Sequence, residues 1–269
     1  MNPSVLFVFI LSILLGVLRA ADLAFGTDAV TGLCVVGSVW WRYLALGIVV
    51  LAAVLVGRTQ PSHSEAVRSR RPLAGILAFV GAVCFLAAAG AQIALGAASG
   101  LGGFVRCILE CLCSAWLSTM GRCWLSPNEW KKPFGGLYLA VAGSLLFYWN
   151  VLMRFMENSS SWHRVEPTAM VWQMLAALVF LSAMIRALWL PETSNGCQLC
   201  EAGICTFLLC FCWELPRVLV LLFHGITAAD LPEVLFGFGM CCIGALGLFT
   251  VARVAGSDGR PAIPRHAVG

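Results

Sequence analysis

Eight long apolar runs, with charge confined almost wholly to the short stretches between them, leave this chain few ways to fold. The runs cover residues 3–20, 38–57, 73–98, 101–121, 134–156, 168–190, 201–224 and 231–253. A bilayer core of roughly 30 Å takes about 20 helical residues per crossing. Within that core the backbone must satisfy its own hydrogen bonds, which a helix does inside a single segment. The expected fold class is therefore all-α, a polytopic transmembrane bundle of eight helices. Composition points the same way: 60% of the 269 residues are hydrophobic and 11% are charged, against roughly 45–50% and about 25% in soluble domains. The polar stretches 58–72, 122–133 and 157–167 are too short to fold alone. One helical membrane domain over 1–253, followed by a short basic tail over 254–269, accounts for the chain.

Lys and Arg in short loops mark the cytoplasmic side of a membrane protein. Arg58, Arg68, Arg70 and Arg71 follow the second run, Arg122, Lys131 and Lys132 the fourth, and Arg253, Arg260 and Arg265 the last. Eight crossings put these three regions on one side, with both termini cytoplasmic. The opposite side carries Asp22, Asp28, Glu157, Glu166, Asp230 and Glu233, with Arg154 and Arg164 beside them. No Lys or Arg precedes Arg19, so the first run lacks the basic start of a signal peptide and reads as an uncleaved helix. Trp40, Trp41, Tyr43, Trp124, Trp130 and Trp189 sit near the ends of runs, where indole and phenol rings anchor at headgroup level. Trp116 and Trp213 read instead as packing between helices.

The fourth run is the least apolar. It holds seven Leu, Ile, Val or Phe residues between 101 and 121, together with Arg106 and Glu110. At about 0.3–0.6 kcal/mol gained per large apolar residue and about 2.5–3.5 kcal/mol lost per central charge, it does not insert well alone: it needs neighbours, or it lies along the interface. Spanning is favoured because it keeps Lys131 and Lys132 on the basic side. Arg106, Glu110 and Ser114 recur at spacing four, so they share one helix face, expected to turn into the bundle.

Glu214-Leu215-Pro216-Arg217 lies near the middle of the seventh crossing. Ionisable residues at such depth are costly and face a bundle interior or a watery cavity. Glu214 and Arg217 are one turn apart and can pair. Pro216 offers no backbone donor and is the candidate kink, and carbonyls freed at broken helices are a common element of ion and substrate sites. Glu214, Arg217, Arg106 and Glu110 are thus the candidate intramembrane polar site. The alternative is an ion-pair network that only fixes helix register. Gln92, Asn150 and Gln173 inside helices read as helix–helix hydrogen bonds, and Arg186 as a side chain reaching out to the interface.

Most of the thirteen cysteines fall inside apolar runs, where cysteine packs as a small hydrophobe. Cys197 and Cys200 form a C-x-x-C before the seventh run. Thiols at a helix start are activated, and two at this spacing are half of a metal site. No second C-x-x-C completes it, and His63, His163, His224 and His266 are scattered. Gly96 and Gly100 make a G-x-x-x-G that reads either as helix packing or as a turn over 96–103. Asn158-Ser159-Ser160 matches a glycosylation acceptor. Catalytic and phosphate-binding motifs are lacking, so no cofactor is expected and an enzyme is not the favoured reading. The formal charge of +4 is dispersed over loops, which argues against a nucleic-acid partner. The bilayer is the one partner the sequence implies.

Asp28-Ala29-Val30-Thr31-Gly32-Leu33, followed by Trp40, Trp41, Arg42 and Tyr43, resembles the first loop of uncharacterised multipass membrane proteins of anaerobic Firmicutes. Those carry Asp-x-x-Thr-Gly-Phe after a first hydrophobic helix, and Leu33 replaces the aromatic here. The resemblance covers about thirty residues and implies a bacterial inner-membrane location but no activity. Asp28 and Thr31 are suited to capping local turns. Three functions remain open: transport of a small solute or ion, alone or as a transport-associated subunit, around Glu214 and Arg217; a non-catalytic scaffold or sensor; and a thiol or metal protein using Cys197 and Cys200.

Overall fold

A computed structural model describes residues 2–28, 33–60, 65–98, 100–126, 133–156, 165–190, 195–224 and 227–256. Lys131, Lys132, Trp130, Asn158-Ser159-Ser160, Arg164 and the tail arginines lie outside them. Nine α-helices are present among the described residues: α1 (Pro3–Ala21), α2 (Val39–Arg58), α3 (Pro72–Ala94), α4 (Gly100–Leu125), α5 (Gly136–Met156), α6 (Val165–Trp189), α7 (Gly196–Thr206), α8 (Glu214–His224) and α9 (Leu231–Val254). A π-helical turn, Phe207–Trp213, joins α7 to α8 into one continuous rod. Eight helical rods are therefore long and apolar enough to cross a membrane, α4 among them. The all-α fold class holds.

Local chemistry sets the helix starts. The Asn2 side chain accepts from Ser4 N and that of Ser38 from Trp40 N, each satisfying one donor left over at a helix N-terminus. Proline occupies the opening turn of α1, α3 and α9, where its missing N–H costs nothing. α3 ends at Ala94, short of 98, and Gly96 and Gly100 take φ of +65° and +72°. The G-x-x-x-G is thus the turn between α3 and α4, a backbone conformation that glycine adopts without strain, and not a packing motif.

α9 is the central staff. Seventy-eight per cent of its membrane window is buried, against 22% for α2. Small residues let other backbones reach it: a Cβ on Gly247 would stand 2.6 Å from Gly203 O of α7. Lipid offers no hydrophobic drive between helices, so close approach and dispersion hold them together. Phe85 of α3 meets Phe147 and Phe236 edge-to-face, with ring centroids 6.2 and 5.3 Å apart.

The two ends of the bundle differ in charge. At one end Asp22 binds Arg19 at 2.9 Å and Arg42 of α2, Tyr43 Oη lies 3.2 Å from Thr168 Oγ1, and α6 and α9 begin with Glu166 and Glu233. There Asp28 N bonds Leu33 O at 3.0 Å. Residues 29–32, the heart of the Asp-x-x-Thr-Gly stretch, lie outside the described residues. At the other end Arg58 pairs with Glu201 at 3.4 Å, and Arg71 N bonds Trp124 O at 3.0 Å. Trp124, in the last turn of α4, is turned into the protein: it is fully buried, and its indole donates to Val67 O at 3.2 Å. Trp40 and Trp41 are exposed, whereas Trp116 and Trp213 are buried between helices.

Candidate functional site

Two buried carboxylates are built on one plan. Glu110 of α4 receives Arg106 Nε from the preceding turn at 3.0 Å and the Gln92 amide from α3 at 2.9 and 3.1 Å. Glu214 of α8 receives Arg217 Nε from the following turn at 3.0 Å and the Gln173 amide from α6 at 3.0 Å. In each case an arginine on the same helix neutralises the charge and a glutamine from a neighbouring helix occupies further lone pairs. A buried carboxylate is tolerable only with such partners. Ser114, on the same face as Glu110, donates to Ala82 O at 2.7 Å, so the polar stripe of α4 turns inward onto α3.

The backbone around Glu214 is shaped for its task. Pro216 has no N–H for the carbonyl one turn back, that of Cys212, and this carbonyl faces α1 at Gly16, where a Cβ would stand 2.6 Å from the oxygen. The irregularity expected at Pro216 takes the form of the π-helical turn immediately before Glu214. Such turns recur at functional sites. Gln173 Nε2 also bonds Leu209 O within that turn, at 3.1 Å. One side chain thereby fixes both the irregular backbone and the carboxylate.

Arg217 gathers acids from three helices. Its guanidinium lies 2.5 Å from Glu214, 3.4 Å from Glu166 of α6 and 3.8 Å from Glu233 of α9. Arg106 lies across from it, its guanidinium 5.0 Å from the centre of the Phe236 ring, a cation–π distance. Between them is a cavity of about 340 Å³, lined among others by Gln92, Arg106, Asn150, Gln173, Glu214 and Arg217. Glu233 and Arg154, near the acidic end, complete its polar wall, while Met153, Met170, Met174 and Met240 give apolar surface.

Three of the four residues expected at the site, Arg106, Glu214 and Arg217, line this cavity. Glu110 stands behind it and orients Arg106. Gln92 and Gln173 make the expected interhelical hydrogen bonds and also line the space; Asn150 bonds within its own helix, to Leu146 O at 2.8 Å. Glu166, Glu233 and Arg154 read in the sequence as ordinary boundary charges. Only the convergence of α5, α6 and α9 brings them to the site.

The C-x-x-C lies inside a helix. Cys200 is fully buried, and Cys197 Sγ donates to Gln60 O at 2.8 Å. All thirteen cysteines are free thiols. Among the described residues no three His, Cys, Asp or Glu side chains are placed to hold a metal ion. Cys197 and Cys200 therefore do not form an accessible thiol pair.

Comparison with known proteins returned no matching family model, no matching curated protein and no matching solved structure.

Proposed function

We propose that this multipass membrane protein transports a small polar or charged solute, alone or as a transport-associated subunit, with Glu214, Arg217 and Arg106 at the solute site. The supporting observation is the 340 Å³ cavity that reaches the buried Glu214–Arg217 pair. Its volume falls in the roughly 300–1,000 Å³ range of small-molecule sites. It offers guanidinium, carboxylate and amide groups on facing walls, backed by methionines that can repack. An irregular helix beside a polar cavity is the arrangement in which transporters hold solutes. The loop charges support a cytoplasmic position for the basic end and both termini, so the cavity would face outward; the Asp-x-x-Thr-Gly resemblance supports a bacterial inner membrane.

The test is a solute panel on proteoliposomes, covering inorganic ions, amino acids, sugars and carboxylic acids. Uptake or solute-triggered current in wild type, lost in Glu214→Gln and Arg106→Gln variants that still insert and fold, is the expected result. Activity retained in both variants, or none with any class, contradicts the proposal.

A second reading has its own observation. Arg217 ties α6, α8 and α9 through three carboxylates, as a purely structural lock would. In that case both variants lower stability and leave every cellular phenotype of the folded protein unchanged.

A further inference from the structure

A second concavity lies on the opposite face of α6, away from the polar cavity. α2 and α6 both rest on α7 but barely touch one another, which leaves between them a groove of about 870 Å³ floored by α7 and the π-helical turn. Its long walls are apolar, among them Val50 and Val54 of α2 and Trp172, Leu175 and Val179 of α6. Leu175 and Val179 are 43% and 56% exposed, so the groove opens sideways to where acyl chains would lie.

Its polar groups are gathered at one end. Arg186, Gln198 and Glu201 line the groove only near the basic end of the bundle. Glu201 is already compensated by Arg58 at 3.4 Å. Arg186 is exposed and has no ion-pair partner among the described residues. Among the described residues, the groove lining and its ion-pair partners therefore carry one surplus positive charge at this end, one turn from the end of α6. From Arg186 to Trp172 is fourteen residues, or about 21 Å at 1.5 Å per residue, more than half of a hydrocarbon core of roughly 30 Å.

We infer that this groove is a binding site for one anionic phospholipid, its phosphate at Arg186 and an acyl chain along α2 and α6 as far as Trp172. Charge complementarity selects the headgroup, since basic pockets between helices bind anionic lipid heads. The apolar length selects a chain and excludes a soluble phosphate as occupant. Leu209 contributes both to the groove floor and, through its carbonyl, to the hydrogen bond from Gln173. The lipid would thus press on the same irregular turn that positions Glu214, although its binding does not depend on the transport reading.

The test is native mass spectrometry of the purified chain in detergent with phosphatidylglycerol or phosphatidylcholine of identical acyl chains. The expected result is selective retention of one phosphatidylglycerol. Arg186→Gln should reduce it about fivefold, the weight of one cation at an anionic headgroup, and reduce phosphatidylcholine, whose choline offsets its phosphate, by less. Val179→Trp, a substitution at an exposed position, should reduce retention of both lipids by filling the groove, and glycerol phosphate should not compete. Equal retention of the two lipids, Arg186→Gln without effect, or competition by glycerol phosphate overturns the inference. So does a concentration-dependent dimer abolished by Val179→Trp, which would make a second copy the occupant.

Discussion

Gln173 places its amide nitrogen 3.0 Å from the Glu214 carboxylate, one side chain of α6 holding a buried charge on α8. Both residues are nearly inaccessible, at 2% and 3% exposure. Two neighbouring rods of the bundle are joined here by polar chemistry, where apolar contact would have been cheaper.

Breaking that relationship from either side should give different costs. Glu214→Ala leaves Arg217 with only its longer contacts to Glu166 and Glu233; these and the cavity keep the cost below the ~3–5 kcal/mol of a buried charge left uncompensated. Gln173→Leu removes a neutral interhelical donor, worth about 0.6 kcal/mol on average in a membrane protein and up to about 1.7. Reversible unfolding in mixed micelles, with the helical signal followed against denaturing detergent, should rank Glu214→Ala well below Gln173→Leu and both below wild type.

Gly16 and Gly90 should respond oppositely to a side chain. A Cβ at Gly16 meets the Cys212 carbonyl at 2.6 Å, while at Gly90 nothing lies within 4 Å. Gly16→Val forces α1 off the π-helical turn, an overpacking cost of about 1–3 kcal/mol. Gly90→Ala relieves the entropic penalty of a helical glycine and should gain about 0.5–1 kcal/mol. The same unfolding measurement checks both.

Cysteine accessibility should follow burial. Cys113, Cys200 and Cys210 are fully buried, and Cys197 is engaged with Gln60 O. A maleimide reagent applied to the folded protein, with mapping by peptide mass spectrometry, should leave the first three unmodified until the chain is denatured. Rapid modification of Cys200 in the native state would revive the thiol reading.

The eight-crossing arrangement predicts opposite sides for tags inserted after residues 65 and 160. A protease-protection assay on sealed vesicles should cleave only one of them.

Most of this fold was legible in the sequence, because lipid imposes one rule on every segment. A run long enough to cross must close its own hydrogen bonds, and that alone located all eight rods, including α4 with its Arg106–Glu110 pair. The cost of ionisable groups in hydrocarbon likewise singled out Glu214, Arg217, Arg106 and Glu110. Burial and close approach between rods were not legible. Glu166 and Glu233 begin helices at the membrane boundary and look like ordinary interface charges, and only the reach of Arg217 makes them part of the site. Gly96 and Gly100 have the spacing of a packing motif, yet the chain turns there because α3 stops at Ala94. The π-helical turn at Phe207–Trp213 has no signature in an unbroken apolar run beyond the proline that follows it.

Transport through this site requires that water reach the Glu214–Arg217 pair through the cavity. Hydroxyl-radical footprinting of the protein in nanodiscs tests it without any substitution, because the methionines that report wet surface are already in place. Met153 and Met170 line the cavity and are partly exposed, whereas Met120 and Met184 are fully buried elsewhere. Oxidation of Met153 and Met170 well above that of Met120 and Met184 is the predicted result. Protection of all four alike would show a dry, occluded ion pair and contradict transport through this cavity.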